Sequence, residues 1–177
     1  MIHCDYHSPC GMVRLSARAG RLYRVRLLGA PRERKPTGAT HAPGGLAPFV
    51  EMLDRYFDCE PVQCDPERLC MDGMGHFQRR VYEALAKVGF GSAVTYSGLA
   101  VMSGAPRAHR AVGNALGANP LPIFIPCHRV VRADGSLGGF GCGVPWKRRL
   151  LEHEGHVVRR GRLVLTDVMP VTTCSGG

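Results

Sequence analysis

Short runs of alternating apolar and polar residues occupy the first 28 positions and flank Gly20. A period of two is typical of half-buried β-strands, so this stretch predicts a β-hairpin. Residues 29–45 are rich in proline, glycine, threonine and basic side chains, which predicts an exposed connection. Segment 47–57 places its large apolar side chains on one helical face: Phe49, Leu53, Tyr56 and Phe57. The hairpin and this helix together predict a small α/β domain.

The second half of the chain has the spacing of helices. Residues 59–75 contain prolines and glycines without an apolar period, which predicts a linker. Apolar residues then recur at helical spacing in segments that we expect to be four helices: 77–88 ending at Gly89, 96–102, 108–116, and one from Pro145 to Gly155 that buries Trp146, Leu150 and Leu151. The second and third are joined by the turn 103–106. Such a pair is typical of a helix-turn-helix, although many helical domains contain a similar corner.

Between the third and fourth helices the pattern changes. Prolines flank the apolar run 123–125, and Cys127–Val131 follows, before a turn at Asp134–Gly135. We interpret this stretch as a β-ribbon or wing.

Charge is unevenly distributed along the 177 residues. Residues 1–75 hold 10 Lys and Arg against 9 Asp and Glu, residues 76–160 hold 12 against 4, and residues 161–177 hold one of each. The basic excess of 8 in the middle segment indicates a surface for a polyanion, with DNA or RNA as the leading partner. A merely solvated basic face is the alternative, and charge alone does not separate the two.

Several function classes find no support in the composition. No apolar run approaches 18 residues and the start lacks a secretory pattern, so we expect an intracellular protein that is not in a membrane. The eight cysteines are expected to be reduced thiols or small core residues. Cys4, His7 and Cys10 match no standard zinc spacing, and we predict no metal. Neither a phosphate-binding glycine loop nor an HExxH pair is present, so no cofactor is expected.

Cys127 and His128 are the first candidates for chemistry. A thiolate attacks soft alkyl electrophiles, and a neighbouring imidazole can lower the pKa of a thiol by accepting its proton. On an extended segment these adjacent side chains point to opposite sides, so His128 is expected to act through a water molecule. Glu154 sits in the last turn of a helix, where the dipole disfavours a carboxylate. A buried link to His128 would compensate for this, whereas a solvated carboxylate would need no partner.

The segment Ile125–Val131, with the sequence IPCHRVV, resembles the active-site signature of the O6-alkylguanine-DNA alkyltransferases. Further segments match that family at its spacing: 77–81 through Tyr96, 110–113 to Asn119 and Pro120, 138–143, and 150–156. The resemblance covers residues 76–156 and is weaker and architectural over 1–70.

The resemblance implies a fold and an activity. The expected fold is α/β (α+β): a small ribonuclease-H-like α/β domain over 1–72, a mostly α winged helix-turn-helix domain over 73–160, and a tail over 161–177. The protein would bind double-stranded DNA through the minor groove as a monomer, in the cytoplasm at the nucleoid or in the nucleus. It would rotate O6-alkylguanine, and also O4-alkylthymine, out of the helix and move the alkyl group irreversibly to Cys127, once per molecule.

The resemblance also assigns roles to residues. Cys127 would be the acceptor, His128 its base through a water, Glu154 the partner of His128, and Asn119 the brace of the active-site turn. Arg110 would fill the gap in the base stack, which costs a few kcal/mol to open. The remaining expected contacts are to DNA from Tyr96, Ala111, Gly113 and Arg129, and to the base from Tyr96, Val130, Phe140 and Gly141.

The chain departs from the family pattern at two places. Phe140 stands where the family usually has tyrosine, and His109 replaces a small residue beside Arg110. The resemblance therefore does not determine which alkyl group is preferred or how the start of the third helix contacts the minor groove.

Two other readings compete with repair. A non-catalytic DNA-binding protein, either a regulator or a damage sensor of the alkyltransferase-like type, would lack the acceptor cysteine, which this chain keeps. A Cys/His hydrolase would not need the basic half, Tyr96 or Arg110, and it would release more than one product per protein molecule.

Overall fold

The structure is a computed structural model that describes residues 1–29, 37–39, 41–62 and 64–164. An antiparallel sheet and one helix form the N-terminal part, and the remainder is mainly helical. The strands are β1 Ile2–Ser8, β2 Gly11–Arg18, β3 Arg21–Leu28, β4 Gly38–Ala39, β5 Val94–Thr95, β6 Val130–Val131, β7 Val158–Arg159 and β8 Arg162–Leu163. The helices are α1 Ala47–Phe57, α2 His76–Ala86, α3 Tyr96–Met102, α4 His109–Gly117 and α5 Val144–His153.

The N-terminal sheet has the strand order β3-β2-β1-β4. The predicted alternation is confirmed, but it produces three long strands where we expected one hairpin, because β1 pairs with β2 along its whole length. The inward side chains of these strands are fully or almost fully buried: Tyr6, Val13, Leu15, Leu22 and Val25. Helix α1 lies against this inward face, with Tyr6 stacked on Phe57 at a ring-centroid distance of 5.9 Å. Of the predicted exposed connection, residues 30–36 and 40 lie outside the described residues.

The four helices predicted after the linker are confirmed. Helix α3 has the predicted bounds, and it begins where the Thr95 hydroxyl accepts a hydrogen bond from the Gly98 N–H at 2.9 Å. Helix α2 ends at Ala86, before the Val88 of the predicted pattern. Helices α2, α3 and α4 pack against one another through their apolar stripes, which brings the basic segment of the chain into one bundle.

The turn at Asp134–Gly135 is confirmed, but the β-ribbon predicted from the prolines after Asn119 to that turn is wrong for most of its length. Only Val130–Val131 is a strand, and it pairs in parallel with Val94–Thr95. The reason is local: proline lacks the N–H that a strand needs, and Ile123 adopts a φ of 76°, which breaks the extended path. Residues Cys127–Arg129 form a 3₁₀ turn. The small hairpin in this half is β7–β8, and the predicted tail lies beyond the described residues from 165 onwards.

The two parts of the chain share one core. Buried residues from the sheet, α1, α2, α3, α4 and α5 belong to a single hydrophobic cluster. The outer edge of β3 is joined to the helical part by two hydrogen bonds: the Val25 N–H donates to the Pro120 carbonyl at 2.8 Å, and Trp146 Nε1 donates to the Leu28 carbonyl at 3.2 Å. The loop that follows α4 and the helix α5 are therefore both tied to the sheet.

Candidate active site

Cys127 is the first residue of the 3₁₀ turn and is buried, with 7% of the residue exposed. The side chain of Asn119, just beyond α4, holds it: Nδ2 donates to Cys127 Sγ at 3.0 Å and to the Ile125 carbonyl at 2.8 Å. The Oδ1 of Asn119 accepts from the Leu121 N–H at 3.0 Å. One amide therefore fixes the loop and the sulfur atom together.

The resting state of Cys127 is a thiol. Burial raises its pKa to about 11, against the opposing effects of the Asn119 hydrogen bond and the positive charge of Lys147. This differs from the expectation that a neighbouring imidazole would lower the pKa. The reason is that removal of sulfur from water disfavours the thiolate more than the nearby donors favour it. A reaction at this sulfur would therefore require a base to remove the thiol proton.

His128, Arg129 and Glu154 form a buried charge cluster beside the thiol. His128 Nε2 and Glu154 Oε1 lie 2.7 Å apart, and both side chains are fully buried. Arg129 reaches both carboxylate oxygens with bonds of 2.9 Å, from Nη2 to Oε1 and from Nε to Oε2. Its Nη1 donates to the Val88 carbonyl at 2.6 Å. The arginine thus neutralises a carboxylate that would otherwise be costly to bury.

The hydrogen bond to Glu154 defines the tautomer of His128. Because a carboxylate only accepts, Nε2 carries the proton and Nδ1 presents its lone pair. Nδ1 is buried and has no hydrogen-bond partner within the described part of the chain. Burial lowers the pKa of His128, although the Glu154 carboxylate opposes this. Burial opposes ionisation of Glu154 too, but His128 and Arg129 together hold its pKa well below the ordinary range. The cluster therefore contains a neutral imidazole that can accept a proton.

Tyr56 of α1 completes the same cluster from the N-terminal part. Its hydroxyl donates to Glu154 Oε1 at 2.8 Å and lies 3.5 Å from His128 Nε2. The backbone N–H of Gly91 contacts the other carboxylate oxygen at 3.3 Å. Glu154 therefore accepts hydrogen bonds from four residues. The apolar pattern of α1 predicted that Tyr56 is buried, but not that it bonds to Glu154.

Lys147 is a second buried cation near the sulfur. It is fully buried on α5, and its Nζ donates to the carbonyl of Val130. Burial lowers its pKa to about 8, while the Cys127 sulfur favours the charged form. Its Nζ also lies 6.0 Å from the ring centroid of Tyr96. Lys147 thus holds the carbonyl of Val130, and its positive charge acts on the Cys127 sulfur.

Tyr96 and the loop 137–143 face each other. A Cβ atom at Gly138, where φ is 70°, would lie 3.1 Å from the Tyr96 hydroxyl oxygen, so glycine allows this close approach. The loop continues to Gly141, where a Cβ atom would lie 3.6 Å from the Gly117 carbonyl at the end of α4. Phe140 is half-buried and packs against the core. The predicted base-contact residues thus lie around one region between α3, α4 and the loop.

Helix α4 presents its predicted DNA-contact residues at the surface. His109, Arg110 and Ala111 at its start are exposed, while Val112 and Leu116 are buried in the bundle. Gly113 is half-buried, and a Cβ atom there would lie 4.0 Å from the ring of Tyr96. The exposed and buried faces of α4 are therefore separate.

Arg129 requires a correction. We expected it to contact DNA, but only 6% of the residue is exposed and its guanidinium is bound to Glu154 and Val88. A guanidinium in that position is not available to a phosphate. Lys147 was missed altogether, although a signal existed, since positions 147, 150 and 151 share the buried face of α5.

The cysteines in the described part of the chain form no disulfides. All seven cysteines in the described ranges are free thiols. Within those ranges no group of three or more His, Cys, Asp or Glu side chains is placed to hold a metal ion. The described helices include none with the length and apolar character needed to cross a membrane.

Comparisons with known sequences agree on one family. A family model described as the 6-O-methylguanine DNA methyltransferase DNA binding domain matches residues 76–156. The methylated-DNA–protein-cysteine methyltransferase of Mycobacterium tuberculosis is 40% identical over 156 residues, which cover 87% of this chain and 93% of the relative. The Homo sapiens protein of the same name is 37% identical over 164 residues, covering 84% and 78%.

Solved structures give the same result for the fold. The crystal structure of Mycobacterium tuberculosis OGT in complex with DNA superposes with a TM-score of 0.70 at 37% identity, covering 86% of this chain and 92% of that one. The O6-methylguanine-DNA methyltransferase of Pyrococcus kodakaraensis gives a TM-score of 0.62 at 27% identity, covering 82% and 93%. The similarity therefore extends over both parts of the chain.

Proposed function

This chain belongs to the methylated-DNA–protein-cysteine methyltransferase family, and from that membership we propose that Cys127 is the residue that accepts the alkyl group. The protein binds DNA and repairs it by direct reversal, moving an alkyl group from a damaged base to its own cysteine. The observation that supports Cys127 is its sulfur, which is fixed by Asn119 at 3.0 Å beside the buried His128, Arg129 and Glu154 cluster.

The reaction begins with a proton transfer. His128 is neutral and its Nδ1 lone pair is free, so it accepts the thiol proton of Cys127 through a water molecule. Glu154 stabilises the imidazolium that forms, because its carboxylate already faces Nε2 at 2.7 Å. Asn119 and Lys147 stabilise the negative charge that develops on the sulfur.

The thiolate then attacks the alkyl carbon of the damaged base. The new carbon–sulfur bond forms as the bond from that carbon to O6 of guanine breaks, and the bonding electrons remain with the base. The base takes up a proton, so the proton lost by the thiol is balanced. A thioether is chemically stable, so Cys127 is not regenerated and each molecule acts once. O4-alkylthymine presents a similar alkyl carbon and is the expected second substrate.

Base recognition falls to the region between α3, α4 and the loop 137–143. Tyr96 contacts the base and helps to rotate the nucleotide, while the backbone at Val130 and Gly141 reads its edge and Phe140 closes the side. Lys147 supports this role of Val130 by holding its carbonyl. Extrusion is needed because O6 of a paired guanine lies within the duplex.

Helix α4 supplies the DNA-binding surface. We assign α3 and α4 to a winged helix-turn-helix that enters the minor groove, where Ala111 and Gly113 permit close approach. Arg110, exposed at the start of α4, fills the space left by the extruded base. The basic excess of residues 76–160 supplies the phosphate contacts.

We divide the chain into a ribonuclease-H-like domain over 1–72, a DNA-binding and acceptor domain over 73–160 and a tail over 161–177. It acts as a monomer inside the cell, where its DNA is found.

Two alternative functions are separated by the fate of Cys127. A damage sensor would bind alkylated DNA and gain no mass, and a hydrolase would release product repeatedly without a lasting adduct. A repair protein gains one alkyl group and then stops.

Intact mass spectrometry tests the proposal. After incubation with O6-methylguanine duplex DNA, the protein should gain one methyl group, and peptide mapping should place it on Cys127. Cys127→Ala should gain none and still bind DNA. Cys59→Ser, which removes an exposed cysteine, should gain the methyl group like the parent protein. Methylation at another residue, or transfer by Cys127→Ala, would rule out the assignment.

A further inference from the structure

We propose that Tyr56, on the N-terminal helix α1, is a positioning residue of the alkyl transfer that sets the basicity of His128 through Glu154. The inference rests on the proposed role of His128 as the base. It assigns to the N-terminal part of the chain a direct share in the chemistry of a cysteine in the C-terminal part.

The geometry joins three side chains at one oxygen atom. Glu154 Oε1 accepts from the Tyr56 hydroxyl at 2.8 Å and from His128 Nε2 at 2.7 Å. Arg129 Nη2 reaches the same atom at 2.9 Å. The tyrosine and the histidine therefore compete for the charge on a single carboxylate oxygen, and the tyrosine hydroxyl lies only 3.5 Å from the histidine nitrogen.

The Tyr56 ring is held so that its hydroxyl keeps this direction. Phe57, Phe90 and His153 contact the ring, with centroid distances of 4.9, 5.7 and 5.4 Å. His153 Nε2 also lies 3.1 Å from the Tyr56 carbonyl oxygen. Contacts on several sides limit the rotamers of the tyrosine, so its hydroxyl points at Glu154 without a further cost in side-chain entropy.

The electrostatic effect has a definite sign. Each hydrogen bond that a buried carboxylate accepts disperses its charge, so it attracts the imidazolium less strongly. The Tyr56 hydroxyl therefore keeps His128 less basic than Glu154 alone would make it, and the imidazole stays neutral to lower pH. Burial raises the pKa of Tyr56 well above its ordinary value, so it remains a neutral donor.

A buried tyrosine hydroxyl with only a structural role needs an acceptor, but that acceptor need not contact His128. Tyr82 shows that alternative in this chain, since its buried hydroxyl donates to the backbone carbonyl of Ala115 at 2.8 Å. Tyr56 instead donates to the carboxylate that faces His128.

The test is the pH dependence of alkyl transfer in Tyr56→Phe. Transfer to free O6-benzylguanine is measured from pH 5 to 9, so that DNA binding does not enter. The rate should fall at the acid end as His128 is protonated, and in Tyr56→Phe this fall should begin roughly half a pH unit to one unit higher. Replacement of Tyr56 by 3-fluorotyrosine, whose hydroxyl is a stronger donor, should move the acid fall to lower pH. The fluorine atom changes the shape of the side chain little.

Tyr6→Phe is the matched control. It removes another buried tyrosine hydroxyl that donates to a carboxylate on α1, namely Asp54 at 2.8 Å, away from Glu154. It should lower the melting temperature to a similar extent and leave the midpoint of the acid fall unchanged.

Two results would overturn the inference. One is a Tyr56→Phe protein whose rate is reduced by the same factor at every pH, and the other is a 3-fluorotyrosine protein with the parent profile. If Tyr56→Phe does not fold, the 3-fluorotyrosine protein alone decides. Failure of the proposed function is distinguishable, because the parent protein would then gain no alkyl group on Cys127, or His128→Gln would retain the acid fall.

Discussion

The sulfur of Cys127, the proposed acceptor, lies among groups that are themselves costly to bury. Burial raises the pKa of the thiol to about 11 and lowers that of Lys147 to about 8, so the site holds a neutral thiol close to a cation. On the proposed mechanism, the thiol therefore stays protonated until a base removes its proton. The charge of Lys147 stabilises the sulfur most when the sulfur becomes negative, because neighbouring charges interact strongly where water is excluded.

Lys147→Met tests this role while keeping a long apolar side chain. We expect a loss of roughly tenfold in the rate of alkyl transfer, because the thiolate loses its cation and the Val130 carbonyl loses its donor. The loss should be the same for free O6-benzylguanine and for duplex DNA, since both react at the same sulfur. Single-turnover rates on the two substrates measure it.

The exposed Lys87 provides the control, because Lys87→Met removes the same charge beyond the end of α2. It should leave both rates unchanged. An unaltered rate in Lys147→Met, with a normal melting curve, would show that the buried ammonium has no part in transfer.

Among the helices and strands, the sequence predicted correctly those whose formation depends on a local apolar period. The apolar stripe of α1 and the predicted helix over 96–102 agree with the structure because each depends on residues close in sequence. The predicted ribbon failed because its prolines and the positive φ of Ile123 interrupt the extended path, and the side chain of Asn119 then holds the resulting loop through bonds to Ile125 and Cys127. A hydrogen bond of that kind leaves no period in the sequence, and the same is true of the bond from Tyr56 to Glu154.

Helix α4 offers a prediction that separates DNA handling from chemistry. Arg110→Ala should reduce transfer from O6-methylguanine duplex DNA by roughly 10- to 100-fold, because on the proposed role of Arg110 the extruded state loses the side chain that fills the gap. Transfer from free O6-benzylguanine should not change, since a free base needs no extrusion. Parallel rate measurements on the two substrates give the ratio.

Arg148→Ala is the matched control for this element. Arg148 is an exposed arginine on α5 that pairs with Glu152 at 2.8 Å. Its removal lowers the net charge by one, as the removal of Arg110 does. It should have a much smaller effect on the duplex reaction. Equal losses on free base and duplex in Arg110→Ala would contradict the role of Arg110 in the base stack.

The whole molecule joins its two parts more closely than the sequence indicates. Composition and motifs suggested a linker over 59–75 between two domains, yet Leu69 and Met71 within it are buried in the common core. Tyr56 and Glu154 then connect the parts through a hydrogen bond inside the active site. A boundary near residue 72 would therefore separate two arrangements of strands and helices, but not two separate hydrophobic cores. We expect residues 1–72 and 73–160 to unfold together.

Trp146 makes this expectation measurable, because it is the only tryptophan and lies where α5 meets β3. In urea, its fluorescence and the far-ultraviolet circular dichroism of the whole chain should change in one coincident transition. Gly11→Ala should shift both midpoints to lower urea by the equivalent of about 1–3 kcal/mol, since a Cβ atom there would lie 2.5 Å from Cζ2 of the Trp146 ring. Gly20→Ala strains a turn with nothing within 4 Å, and should cost only about 1 kcal/mol. If the fluorescence of Gly11→Ala changed well before its dichroism, the two parts would be separable and the shared core would not make them a single cooperative unit.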